Sequence, residues 1–435
     1  MKIILLSGGS GEKLWPLSNN IRSKQFIKLF NDRNGQPESM IQRVYRQINN
    51  VFDSADVVVA TSKSQASTVI SQLGDSVKVS IEPERKGTFS ASVLAMEFFS
   101  ETVGLKEDEP IVISPVDLFV DDSFFLPLKE FKDSLNCDKV MLIGAKPVNC
   151  SERYGYILPK TSAKYSDVND FITGCDKNTA EFLINRGALW NSGIYVLFPN
   201  HLRKIAHNIF DYSNYDDLFN HYENIVKISI EDVIPQIVDS LLVYTSDKVL
   251  NDLGTWNAIT NVMHSPVIGN AIIGYNCKNV NVINDMDFPV IVNGLSDVVV
   301  SASQQGILVS KKEESIDLSE YVDHINNRVM FADKSWGALT VLDVTETSMT
   351  IKIEMNAGKR MSYHSHEHRD EMWTILSGHG KTIVDGMEQI VKPGDVITMQ
   401  AGCRHTMVAE EDMVIIEIQR GVDINARDKK KYELE

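Results

Sequence analysis

The stretch GGSGEKLWPLSNNIRSKQF, Gly8 to Phe26, follows directly on the apolar run IILL. A short β-type run that empties into three closely spaced glycines predicts a strand followed by a loop. Glycines permit left-handed turns and let backbone N–H groups approach a ligand closely. Such N–H groups, with the start of a following helix, attract phosphate. The spacing excludes two familiar phosphate loops. A P-loop needs lysine directly after its last glycine and then Ser or Thr, whereas Gly11 is followed by Glu12, Lys13 and Leu14. The dinucleotide pattern GxGxxG fails because Leu14 stands at its final glycine. On the glycines alone, a structural turn and a phosphate site are equally good readings.

The rest of the chain bounds the answer. At 435 residues and 43% hydrophobic, it is long enough for two or three domains, each with its own core. A net charge of −16 argues against general affinity for nucleic acid or anionic membranes, so an anionic ligand must meet a local basic pocket. Cys137, Cys150, Cys175, Cys277 and Cys403 are odd in number and scattered, which points to a reducing, cytoplasmic setting. MKIILLSGG has too short an apolar core for a signal peptide, and no later run approaches a membrane span.

To about residue 260, runs rich in Val and Ile alternate with helical patterns. KIILL, DVVVAT, VKVSIEP, EPIVISPVD and KVMLIGAKP read as strands. SMIQRVYRQINNVF and FSASVLAMEFFSETV carry apolar residues three and four apart, as helices covering a sheet do. This alternation predicts an α/β fold with a mostly parallel sheet and ligands at the carboxyl ends of its strands. Residues 263–326 change texture, with short β-type runs punctuated by Asn, Gly and Asp that suggest a few coils of β-helix. Residues 327–435 are again strand-rich with regular turns, as in a small barrel or jelly roll. The tail INARDKKKYELE reads as a charged, frayed end.

Gly8 to Phe26 resembles the signature of the sugar-phosphate nucleotidyltransferases, and within them the mannose-1-phosphate guanylyltransferases, whose pattern runs GGSGxRLWPLSR and then PKQF. Lys13 takes the place of the arginine, which keeps the charge but loses its bidentate fork, and Lys24 is the lysine of KQF. The resemblance implies a Rossmann-like transferase domain over 1–262. Its nucleotide would be held by Leu6, Gly8, Gly9, Ser10, Gly11, Lys13 and Glu82, with Lys13, Lys24 and Asp117 serving the reaction. SPVD, ending at Asp117, resembles P-[AS]-D-H, and LNDLGTWNA resembles D-V-G-S-W. They imply Asp117 and Asp252 as ligands of Mg²⁺, since phosphoryl-type transfer depends on charge neutralisation. IEPERKGTFSASVLA resembles EP-x-x-R-[ND]-T-A-P-A-I, with departures at Lys86, Gly87 and Phe89. RYGYI and ALWNSGIYVL resemble the sugar-binding GYGYI and YLWNSG, implying Gly155, Tyr156 and Asn191 at the sugar. Where that family has FVEKP, this chain has FITGC, Phe171 to Cys175, so Thr173 and Gly174 replace a charged pair. Lys177, two residues further on, is the candidate substitute for the lost cation.

MSYHSHEHRDEMW lies within a wider pattern: Gly358, His364, His366, Glu371 and Gly378 at the spacing GxxxxxHxHxxxxExxxxxxG. This resembles the first cupin motif at every fixed position, and Gly394, Gly402 and His405 match the second in part. Alternation puts His364 and His366 on one face of a strand. With Glu371 and His405 they make a three-nitrogen, one-carboxylate set suited to Zn²⁺ or a similar divalent transition metal. The domain resembles the cupin of type II mannose-6-phosphate isomerases, which in that family is fused to the transferase. KSWGA, from Lys334, echoes that family's R-P-W-G. The implied activity is transfer of a nucleoside monophosphate unit from an NTP to a hexose 1-phosphate, by default GTP and mannose 1-phosphate. Three alternatives stand beside it: a cupin isomerase whose transferase half has decayed, a non-catalytic sugar-nucleotide sensor, and a transferase for another NTP or sugar phosphate. The texture of the connector adds the expectation of a homo-oligomer.

Overall fold

The run KIILL forms the strand Lys2–Leu6, and its alternation is two-sided. Ile4 belongs to one buried cluster with Val58, Ala60 and Val93, while Ile3 and Leu5 belong to another with Val57, Val59 and Ile41. A strand buried on both faces needs apolar residues at every position, which IILL supplies. The computed structural model of the chain describes residues 1–9, 11–52, 56–135, 138–315, 318–322, 324–325, 328–422, 424–425 and 428–434. It resolves into two compact units, one of residues 1–10 and 23–264 and the other of 11–22 and 265–435.

The first unit is built on a nine-stranded sheet in the order Lys78–Glu82, Asp56–Ser62, Lys2–Leu6, Ile111–Pro115, Leu189–Leu197, Val140–Ala145, Leu241–Ser246, Tyr165–Ile172 and Tyr156–Pro159. All but Tyr165–Ile172 and Leu189–Leu197 run in one direction. Each of the strands expected from sequence is present, and helices Met40–Val51 and Thr88–Val103 cover the sheet. The first is fixed by a capping box between Ser39 and Gln42. Leu189–Leu197 is bulged between Asn191 and Tyr195. Before the bulge it pairs with Tyr156–Pro159, and after it with Ile111–Pro115. Gly193, at φ +76°, makes that turn, and a Cβ there would lie 3.2 Å from Pro115 Cγ.

In the second unit, Val267–Ile268, Asn281–Asn284 and Val298–Ser303 stack in parallel, as do Ala271–Ile273 and Val290–Val292. Val280, Val282, Val292, Val298 and Val300 fill the coil. Asn284 closes a corner by donating to the carbonyls of Asn270 and Phe288, each at 2.8 Å. Gly11–Arg22 packs in this unit: Ser303 donates to Pro16 O at 2.6 Å, and Asn19 to Phe331 O at 3.0 Å. The cupin follows as two antiparallel sheets around Trp373, Met407 and Ile415. The tail corrects one expectation. Lys429–Lys431 is not frayed but pairs with the strand His364–His366, since its backbone fills the open edge of that strand. Among the described residues no helix is long and apolar enough to cross a membrane, and Cys150, Cys175, Cys277 and Cys403 are free thiols. Cys137 lies outside the described residues.

Candidate functional site

At the carboxyl end of Lys2–Leu6, Leu6 O accepts from Val116 N at 3.2 Å and Ser7 O from Thr61 Oγ1 at 2.9 Å. Gln65 donates to Gly9 O at 3.1 Å and to Ser23 Oγ at 2.9 Å, holding the loop over the strand ends. Glu82 closes one side. It is buried, its Oε1 accepts from Tyr222 OH and Lys86 N at 2.8 Å each, and its Oε2 lies 4.0 Å from where a Gly8 side chain would begin. Burial pushes the Glu82 carboxyl up, although those two donors pull against it.

Lys24 Nζ and Asp117 Oδ2 form an ion pair of 2.7 Å, the lysine 12% and the aspartate 39% exposed. Their meeting comes from two separate segments, the turn Lys24–Phe26 and the end of Ile111–Pro115. The backbone of Asp252 pairs with Leu118, next to Asp117, in the two-residue strands Asn251–Asp252 and Leu118–Phe119. Lys13 belongs to the second unit, exposed in the turn Gly11–Leu14. Ser10 lies outside the described residues. The departure at Gly87 has a steric cause: φ is +93°, and a Cβ would sit 2.3 Å from Ile228 O.

Asn191 sits at the bulge, its N donating to Gly155 O at 2.8 Å. Its Nδ2 donates to Tyr195 OH at 2.9 Å and Glu231 Oε1 at 3.3 Å. Glu231 is accessible at the start of the helix Ile230–Val233, yet desolvation of its carboxyl raises its pKa against the pull of Asn191. Gly155 leaves room for Phe171, whose Cζ a Cβ would approach to 3.0 Å. The Tyr156 ring is fully buried, its hydroxyl donates to Ser151 O at 2.7 Å and its strand is flanked by Ile172 and Trp190, so Tyr156 is a core residue and not the sugar contact expected from the resemblance. Lys177 is exposed at the start of Lys177–Asn185, its N donating to Glu152 at 2.9 Å. Thr173 and Gly174 are exposed. Glu231 gave no spacing signal, because it comes from a segment some forty residues beyond Asn191.

The cupin cluster is closed. His364, His366, Glu371 and His405 are each at most 4% exposed, and one ligand atom from each falls within 4.8 Å of the others. All three rings are oriented from behind: Nδ1 of His364 contacts Ser362 O at 2.6 Å, that of His366 contacts Asp428 O at 2.9 Å, and that of His405 contacts Cys403 O at 3.0 Å. Each Nε2 is thereby turned to the centre, as in metal-bound histidines. Glu371 Oε2 and His405 Nε2 lie 3.2 Å apart, buried, with no hydrogen bond of acceptable geometry to any group. Two lone-pair atoms so placed are satisfied by a cation, and the residues fit a divalent metal. Burial holds His364 down at about 2 and His366 at about 4, which keeps both neutral as ligands must be.

Arg369 was missed by the motif reading, although alternation puts it on the face of Glu371. It donates to Glu371 Oε1 at 2.9 Å and to His366 Nε2 at 3.1 Å. Burial pushes Glu371 up, but the His405, His366 and Arg369 neighbours outweigh it and hold it ionised. Glu417, also buried, accepts from Trp373 Nε1 at 3.0 Å and from Gln419.

Residues 2–265 match the family model described as nucleotidyl transferase, and residues 351–419 the cupin domain. The chain is 24% identical to mannose-1-phosphate guanylyltransferase 2 of Escherichia coli O157:H7, over 93% of this chain and 91% of that one. It is 25% identical to the xanthan biosynthesis protein XanB of Xanthomonas campestris, over 99% and 97%. It is 24% identical to the alginate biosynthesis protein AlgA of Pseudomonas aeruginosa, over 99% and 96%. The crystal structure of a mannose-1-phosphate geranyltransferase from Thermus thermophilus shares the fold, with a TM-score of 0.62 and 21% identity over 74% of this chain and 98% of that one.

Proposed function

Since the chain belongs to the nucleotidyl transferase family, we propose that it joins the guanylyl unit of GTP to mannose 1-phosphate and releases pyrophosphate. The observation that carries this reading is the Lys24–Asp117 pair at the carboxyl end of the parallel strands, beside the glycine loop. A phosphate oxygen of the sugar phosphate attacks the α-phosphorus, and the bond from that phosphorus to the bridging oxygen of the β-phosphate breaks. Two anions must therefore be brought together. Mg²⁺ held by Asp117 and Asp252 would neutralise their charge. Lys24 adds fixed positive charge, and backbone N–H groups of Gly8 and Gly9 orient the triphosphate. Glu82 offers a carboxylate oxygen suited to the adjacent N–H donors of guanine. On the sugar side Gly155, Asn191 and Lys177 meet hydroxyls and phosphate, and Glu231 supplies the carboxylate that is missing at Thr173.

The test is pyrophosphate release with Mg²⁺, GTP and mannose 1-phosphate, run beside Asp117→Ala. Turnover that vanishes in the variant is expected; silence across all NTPs and a panel of hexose 1-phosphates overturns the reading. Glu371 Oε2 and His405 Nε2 favour a second activity, aldose–ketose isomerisation of a sugar phosphate in the cupin. There a metal would polarise the open-chain sugar's oxygens while a protein base moves a proton between C1 and C2. Loss of that conversion on chelation and in His366→Ala is its check. A cytoplasmic setting and assembly through the β-helical connector complete the proposal; a monomer mass by light scattering at working concentration rejects the latter.

A further inference from the structure

Glu82 and Asn191 serve different substrates in the proposed reaction, yet one short segment meets both. Tyr222, fully buried at the start of the turn Tyr222–Asn224, donates to Glu82 Oε1 at 2.8 Å. Glu231, at the segment's other end, accepts from Asn191 Nδ2 at 3.3 Å. Between them the chain lies along the start of the helix Thr88–Val103. Ile228 N donates to Lys86 O at 2.8 Å, Ser90 Oγ to Val226 O at 3.2 Å and Ile230 N to Thr88 Oγ1 at 2.9 Å. Lys86 Nζ adds a bond to Glu223 O at 2.6 Å. Lys86 and Gly87 are thus the residues on which the segment rests, and the positive φ of Gly87 admits Ile228 O. A segment tied at so many points holds the Tyr222 hydroxyl in one place.

We propose that Tyr222 is a positioning residue that sets which base the nucleotide site accepts, by fixing the orientation and charge of Glu82. The proposal rests on Glu82 being the group that meets the base. Glu82 Oε1 is occupied twice, by Tyr222 OH and by Lys86 N, each at 2.8 Å. With Oε1 held, Oε2 is turned to the glycine loop, 4.0 Å from where a Gly8 side chain would begin. An ionised carboxylate only accepts, whereas a protonated one also donates. Guanine presents a ring N–H beside an amino group, two donors that suit the ionised form. Adenine presents a bare ring nitrogen beside its amino group, which suits the protonated form. The choice between the two bases therefore follows the state of one proton. Burial pushes the Glu82 carboxyl up; Lys86 N, Tyr222 and the charge of Arg85 pull it down, and the charge of Glu84 adds a smaller rise. A donor to the ionised form favours that form. Removing the Tyr222 hydroxyl takes away one of the two donors, so Glu82 turns more freely and holds its proton to higher pH. Lys86 N is a backbone group and stays in any side-chain variant, which leaves Tyr222 as the side chain that decides.

The experiment measures GTP and ATP affinity by calorimetry, and pyrophosphate release with Mg²⁺ and mannose 1-phosphate, for the full-length protein. Wild type is compared with Tyr222→Phe, Tyr222→His, Glu82→Gln and Tyr212→Phe, each at a temperature where its melting profile shows it folded. Tyr212 is the control, a second tyrosine that donates to a buried carboxylate, Glu97 Oε1 at 3.0 Å. Loss of a donor to a charged group should lower the preference for GTP over ATP about tenfold in Tyr222→Phe. KM for GTP should carry that loss, with kcat held within about twofold. The acid limb of GTP affinity should move to higher pH. Tyr222→His, which can still donate, should keep part of the preference, and Tyr212→Phe all of it. An unchanged ratio in Tyr222→Phe, an equal fall for both nucleotides, or a wild type that binds them equally overturns the proposal. A GTP preference that Glu82→Gln leaves intact removes Glu82 as the base reader, and this proposal with it. One that Glu82→Gln abolishes and Tyr222→Phe keeps overturns the role of Tyr222 alone. Loss of preference in the calorimetry of Tyr222→Phe supports that role whether or not pyrophosphate is released, so silence in the rate assay counts against the transferase reading only.

Discussion

The transferase site and the cupin site balance their charges in opposite ways. In the first, Lys24 meets Asp117 and Asn191 meets Glu231, and Asp117 keeps 39% of its side chain in solvent. In the second, four ligand residues are at most 4% exposed, and Glu371 Oε2 and His405 Nε2 are left without a hydrogen bond. A site made at strand ends from loops and short helices waits for charged ligands to displace its internal pairs. A site made on the inner faces of strands, although Arg369 bonds Glu371 and His366, still leaves two buried polar atoms unmet. The open site therefore tolerates exchange among its charged groups, whereas each member of the closed site has no substitute.

The largest effect that would break this comparison is expected at Asp117. Asp117→Ala removes a charge needed only when two anions meet, so pyrophosphate release should fall by about 10³-fold, on the order of 4 kcal/mol. Retention within tenfold would mean that the Lys24 pair is structural. Next comes His366→Ala, measured by Zn²⁺ competition. Loss of a direct ligand should exceed the roughly 10–100-fold attributed to outer partners. A variant that still binds Zn²⁺ as wild type does would show that Arg369, not a metal, is the cation this cluster was built around.

The two sites were also unequally legible. His364, His366 and Glu371 could be placed from spacing, because a strand fixes alternate residues on one face and a short turn fixes the next strand's start. The same rule would have given Arg369, two residues before Glu371 on the same face. Lys24 and Asp117 are some ninety residues apart, and no periodicity joins them; only the resemblance did. Glu231 was illegible, since its helix is short and its meeting with Asn191 depends on a bulge that spacing does not encode. The tail was misread because KKK is polar, yet its pairing is made by backbone groups that composition does not report.

A smaller effect tests how dry the cupin interior is. Burial, then the Glu371 charge, push Glu417 up to about 8, against donors from Gln419 and Trp373 and the charge of Arg369; Lys429 also feels it. Between the ordinary carboxylate range and that value the folded protein holds a proton that the unfolded chain releases. Stability is therefore fully present at acidic pH and declines as pH rises through 8, by at most about 1.4 kcal/mol per pH unit. Glu417→Gln, which stays neutral, should flatten the decline between pH 5 and 8 in denaturant titrations of metal-free protein. Parallel wild-type and variant profiles would mean that Glu417 is already ionised.

The smallest effect bears on the open site's exchange of charges. Thr173 and Gly174 stand where the related enzymes carry glutamate and lysine, and both are exposed. Glu231 reaches Asn191 Nδ2 at 3.3 Å from another element, so a carboxylate is still present beside the amide proposed to meet the sugar. Glu231→Gln keeps the shape but removes the charge that strengthens bonds from sugar hydroxyls. A charge-assisted bond exceeds a neutral one by about 1 kcal/mol, so KM for the sugar phosphate should rise five- to tenfold while KM for GTP holds. Thr173→Glu in the same background should recover part of the loss, because it returns the carboxylate to its related position. If both KM values move together, Glu231 supports the bulge at Asn191 rather than the sugar, and the open site has lost its carboxylate outright.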